Sequence, residues 1–188
     1  MENVPPPRSA LDAFLLRRIP ARDEIKAVFA VAAFCVFSWE LRNYFYQFPA
    51  LILSYNLWDL LSIAAYALAF ALVESILTLA FFVALAFILP GFAMRDGFSY
   101  KASFAIVSAS AVAIYLQAVM SNQPTTQFLL LQLARFGVLW LVPTLLTRYV
   151  PFVRKFVLDV LDRLTVFNYI YPPLGILSLL VVILRNLW

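Results

Sequence analysis

Residues 57–89 constrain this chain more than any other stretch. They form thirty-three residues with no Gly or Pro inside and, beyond Asp59 at their start, a single acidic or basic side chain, Glu74. A helix crosses a hydrocarbon core of about 30 Å with about 20 apolar residues. Thirty-three residues at 1.5 Å rise reach about 50 Å, so such a helix tilts strongly or protrudes. Nothing inside breaks it, which argues against a hairpin. Asn56, with Asp59 three positions on, reads as the helix start, because an Asn side chain caps free N–H groups and Asp favours the positive end of the dipole. Pro90-Gly91 reads as the stop.

Composition agrees with a membrane chain. Of 188 residues 64% are hydrophobic and 13% charged, against about 45–50% and about 25% in soluble domains. Mean hydropathy is +0.90. There is no His, which excludes His-based triads, haem ligation by His and mixed His/Cys zinc sites. One cysteine, Cys35, forbids an intrachain disulfide and reads as a small buried hydrophobe. Four glycines leave no phosphate-cradling loop. No cofactor is expected.

The fold class expected is all-α, a polytopic bundle of about five spans near residues 26–48, 57–89, 102–120, 128–146 and 166–184. In the first, the uninterrupted apolar run from Ala27 to Trp39 is short and needs its flanks. Lys26 snorkels at one end, Trp39, Tyr44 and Tyr46 belong to an interfacial belt, and Pro49 closes it. Four spans is the count if this segment only dips in. Pro172-Pro173 either lie within the last span or mark its true start, since Pro is tolerated in a first helical turn. Residues 1–25 read as an N-terminal cytoplasmic segment and 26–188 as one transmembrane domain with an uncleaved first span.

Basic residues set the orientation. With the N-terminus inside, Arg8, Arg17, Arg18, Arg22, Lys26, Arg95, Lys101, Arg148, Arg154, Lys155 and Arg163 are cytoplasmic, against Arg42 and Arg185 outside. That bias predicts N-terminus in and C-terminus out, in a plasma (inner) membrane. Two amphipathic helices are expected to lie on the cytoplasmic side. Ser9–Ile19 spaces Leu11, Phe14, Leu15 and Ile19 helically beside Arg17 and Arg18. Residues 151–165 align Val153, Phe156, Val157, Val160, Leu161 and Leu164, with Lys155/Asp159 and Asp159/Arg163 four apart. Both suit headgroups of anionic lipid. The pI near 9.4 is explained in the same way, with no nucleic acid implied.

Ionisable groups within spans cost about 2.5–3.5 kcal/mol on insertion scales, so each asks for a reason. Glu74 sits about 15 Å deep, and Arg135 about 10 Å deep in the fourth span. Gln132 shares a face with Arg135, and Ser103, Ser110 and Gln117 recur every seven residues along the third span. Glu74, Arg135, Gln132 and Gln117 therefore form the candidate intramembrane polar cluster, with Arg135 the expected partner of Glu74. Three readings follow: a structural pair between helices, a path for an ion, proton or small polar solute, or a contact with another subunit. Ala64, Ala65, Ala67, Ala69 and Ala71, with Ser103, Ser108, Ser110 and Ala111, make surfaces that let helices approach closely. Arg95-Asp96-Gly97 reads as a plain turn. Glu40 and Asp59 fall on the same outer boundary. The function expected is a non-catalytic membrane subunit or scaffold that assembles with itself or with partner membrane proteins. The alternative is a small oligomeric channel or transporter built on the polar cluster. No clustered acids, metal motif or activated nucleophile mark a lipid-modifying enzyme.

Overall fold

The computed structural model describes residues 20–91, 94, 96–119 and 126–187. Six α-helices follow one another, with no strand among the described residues: α1 Arg22–Ser54, α2 Leu57–Ile88, α3 Phe98–Val119, α4 Thr126–Tyr149, α5 Pro151–Leu164 and α6 Tyr171–Leu187. A 3₁₀ turn, Thr165–Tyr169, joins the last two. Four stretches are long and apolar enough to cross a membrane: α2, α3, α4 and the joined run Pro151–Leu187. The helix expected over Ser9–Ile19 lies outside the described residues.

Local signals account for most boundaries. At α1 the Glu24 carboxylate accepts from the Ala21 backbone N–H at 3.3 Å, and Asp23 and Glu24 stand in the first turn, where negative charge suits the dipole. At α2 the Asn56 side chain accepts from the Asp59 N–H at 3.0 Å, and the helix runs unbroken until Leu89, with Pro90 following. Gly97 has φ 77°, the left-handed region where glycine is favoured, and a Cβ there would run into the Tyr100 ring. Pro151 opens α5, where its missing N–H costs nothing. Tyr171 opens α6, so Pro172 and Pro173 occupy the first turn rather than the interior of a longer helix.

One boundary differs from the sequence reading. Pro49 does not close α1, which continues to Ser54 and ends with the Tyr55 N–H on the Leu51 carbonyl at 2.9 Å. Pro49 removes one backbone hydrogen bond, but the next turn restores the ladder, and its side chains are exposed, so no packing opposes the continuation. At 33 residues α1 is the longest helix among the described residues, yet it is not among the four spans by composition. Glu40, Arg42, Asn43 and Gln47 make its second half polar, and its buried residues all lie between Ala27 and Phe37.

That buried half is the centre of the fold. Helices α2 and α3 flank α1; α6 packs outside α2 and α4 outside α3, giving the lateral order α6–α2–α1–α3–α4. Helix α5 lies against α4, α1 and α3. The larger core joins Val28, Val31, Ala32, Phe98, Ala102 and Ile106, with Leu161 of α5 closing it. A smaller one joins Ala33, Phe37, Ala71 and Leu72, with Tyr171 stacked on Phe37 at 4.8 Å between ring centres. Gly175 meets α2 so closely that a Cβ there would stand 2.7 Å from the Leu72 Cβ. Ala is the commonest buried residue, with Ser75, Ser99, Ser103, Ser108 and Ser178 also buried, while Leu, Ile, Val and Phe crowd the exposed surface. Small residues inside and bulky apolar ones outside is the arrangement lipid permits, since lipid supplies no hydrophobic drive between helices.

Candidate functional site

Helix α4 carries the clearest polar face. Its three buried side chains are Gln132, Thr144 and Thr147, whereas its leucines and valines are exposed or half-buried. Thr144 donates to the Trp140 carbonyl at 2.6 Å, and Trp140 Nε1 reaches across to donate to the Lys101 carbonyl at 3.1 Å. That bond pins α4 to the start of α3. Lys101, counted from the sequence among the cytoplasmic basic residues, is 5% exposed. Charge counting along the sequence says nothing of that burial.

Two of the four candidate residues come together. Arg135 Nη1 donates to Gln132 Oε1 at 3.3 Å, the i,i+3 geometry that their spacing predicts. The Arg135 guanidinium also lies over the Tyr115 ring of α3, 4.6 Å from its centre, a contact that linear spacing within one helix does not reveal. Gln132 is 4% exposed and its Nε2 has no hydrogen-bond partner. These groups edge a groove of about 540 Å³ between α3 and α4, otherwise apolar and walled by Val112, Leu131, Val138 and Leu139.

Glu74 lies elsewhere. It is exposed and lines a cleft of about 150 Å³ over α1, between α2 and α3, with Cys35, Trp39, Ser110 and Ile114. Cys35 is half-buried there rather than fully enclosed. Glu40 of α1 is close enough for its carboxylate to interact with that of Glu74. Helices α2 and α4 share no packed interface, because α1 and α3 stand between them. Among the described residues, Arg135 and Glu74 are absent from every ion pair. The in-chain Glu74–Arg135 partnership expected from depth alone is therefore not what the structure has. Gln117 is exposed, two turns along α3 from Ser110, on the Glu74 side of that helix and away from Arg135.

Other polar contacts fasten the helices. Asp59 pairs with Arg185 at 3.3 Å rather than facing Glu40, and Asn186 donates to the Tyr66 hydroxyl at 2.7 Å, so the end of α6 is tied twice to the start of α2. Asn168 donates to the Lys26 carbonyl at 3.0 Å. On α5, Arg163 pairs with Asp159 at 3.1 Å. A third concavity, about 600 Å³, opens beside the start of α1 and includes Asp23, Glu24 and Asp162, of which Asp23 pairs with Lys26 at 3.2 Å. No group of three metal-ligating side chains occurs among the described residues.

The class these observations define is an all-helical membrane protein with four helices able to span. Comparison of the chain with family models, with curated proteins and with solved structures finds no match.

Proposed function

We propose that this chain is a non-catalytic integral membrane subunit or scaffold that assembles with itself or with partner membrane proteins. One observation carries the reading: Glu74 and Arg135 stand exposed near the middle of apolar helices, and among the described residues neither has an oppositely charged partner. Each costs about 2.5–3.5 kcal/mol in hydrocarbon on insertion scales, and a neighbouring chain is the simplest source of compensation. In this reading α1 is a fifth span, the N-terminus is cytoplasmic and the C-terminus outside, in the plasma (inner) membrane. Helix α5 lies at the cytoplasmic boundary. Its Arg154, Lys155 and Arg163 are exposed beside anionic lipid, as are Phe152 and Phe156, while Val157, Leu161 and Leu164 pack onto the core.

Native mass spectrometry on protein gently extracted from its own membrane tests the assembly. A stoichiometric complex, with itself or another membrane protein, is the expected result; a bare monomer across mild detergents overturns it.

A second reading, a small oligomeric channel or transporter, draws on the Glu74 cleft, where a carboxylate and the Ser110 hydroxyl meet in an otherwise apolar wall. It predicts that Glu74→Gln abolishes flux into vesicles while leaving assembly intact.

A further inference from the structure

The two uncompensated charges have opposite signs and similar depths, and those facts name the partner. Glu74 stands about 2 Å past the midpoint of α2 and Arg135 about 4 Å before the midpoint of α4, at 1.5 Å per residue. With α3 crossing between them, α2 and α4 run in the same direction. The axial offset is then about 6 Å, within the reach of an extended arginine side chain. Within one chain the pair cannot close, because α1 and α3 separate the two helices. Both side chains are exposed and so are open to a second chain.

The surroundings match as well. Beside Arg135, the buried Gln132 Nε2 is a donor with no partner, at the edge of an apolar groove. A carboxylate entering there meets a guanidinium and an amide N–H₂ together, and charge-assisted bonds of that kind are the strong ones. Glu74, for its part, has the Glu40 carboxylate nearby and no cation paired with it among the described residues. We propose that Glu74 of one copy pairs with Arg135 of a second copy, the intramembrane bridge that holds this chain to itself. The inference rests on the assembly reading and deepens it, with a second copy of the chain as the occupant of the α3–α4 groove.

The test is reciprocal charge exchange in the full chain, labelled at the N-terminus with donor or acceptor fluorophores and reconstituted in phosphatidylcholine vesicles at graded dilution. Energy transfer reports association. Glu74→Arg alone and Arg135→Glu alone are each expected to weaken association at least tenfold. Mixing the two single variants should recover it, because one chain then offers two cations and the other two carboxylates. The doubly exchanged chain should recover it too. Helix content by circular dichroism separates lost pairing from lost folding, and the milder Glu74→Gln and Arg135→Gln serve if a reversed charge fails to insert.

Several outcomes overturn the proposal. A wild-type chain that stays monomeric at every dilution does so, as does association indifferent to both exchanges, or a correctly folded mixture that does not recover. Oleate retained by wild type and lost in Arg135→Gln, with association unchanged, does so as well and assigns the groove to a lipid carboxylate. A chain monomeric in vesicles but found in a heteromeric complex from its own membrane overturns self-pairing alone and leaves the assembly reading standing.

Discussion

At the scale of single residues, the positions that matter most are small, polar or conformationally special. Asn56 holds the first turn of α2 through one side-chain bond at 3.0 Å. Asn56→Ala should lower stability by about 0.5–2 kcal/mol, read as an earlier thermal unfolding transition in detergent micelles; an unchanged transition would mean that packing alone fixes that end. Gly97 is bound both by its positive φ and by the Tyr100 ring. Gly97→Ala should cost more than the roughly 1–2 kcal/mol of left-handed strain alone, because the ring must also move. Such residues were readable in the sequence, since capping and turn chemistry act within a few positions. The partners of Arg135 were only half readable. Gln132 is three residues away on the same helix, but Tyr115 belongs to a different helix, and no periodicity within one helix specifies which side chain of another will face it.

Among the helices, punctuation by Asn56, Pro90 and Pro151 was legible, Pro172-Pro173 left two starts open, and the Pro49 boundary was misread. A proline announces one missing hydrogen bond; whether the helix resumes depends on what the following turn meets. Because α1 does resume, Pro49→Ala should restore the bond to the Phe45 carbonyl and raise the unfolding temperature without adding helix, visible as unchanged circular dichroism with a later melt. A fall in helix content would contradict the continuous α1. Helix α6 depends on its closeness to α2 at Gly175 and on the Asp59–Arg185 and Asn186–Tyr66 ties at its far end. Gly175→Leu should pry the two helices apart and expose α6 to protease, whereas the half-exposed Asp59–Arg185 pair contributes at most about 1 kcal/mol. The lateral order α6–α2–α1–α3–α4 was beyond the sequence: spans can be found by length and apolarity, but the order in which they stand is set by close surface matching. That is why Glu74 and Arg135, each near the middle of its helix, lie on helices that share no packed interface.

For the molecule as a whole, the basic-residue asymmetry predicts sidedness, and chemical labelling checks it. In a Cys35→Ser background, Leu187→Cys should react with a membrane-impermeant maleimide added to intact cells, and Asp96→Cys only after permeabilisation; the reverse pattern would invert the topology. The interior carries a different consequence. Soluble proteins are chiefly vulnerable to hollowing, the loss of large side chains from a packed centre. Here Ala and Ser, with Gly175, supply much of the contact between helices, so close approach leaves almost no room to receive added bulk. Natural variation in this chain should therefore be lopsided: free to trade one large apolar residue for another on the outside, and closed on the inside to gains of even a few methylenes.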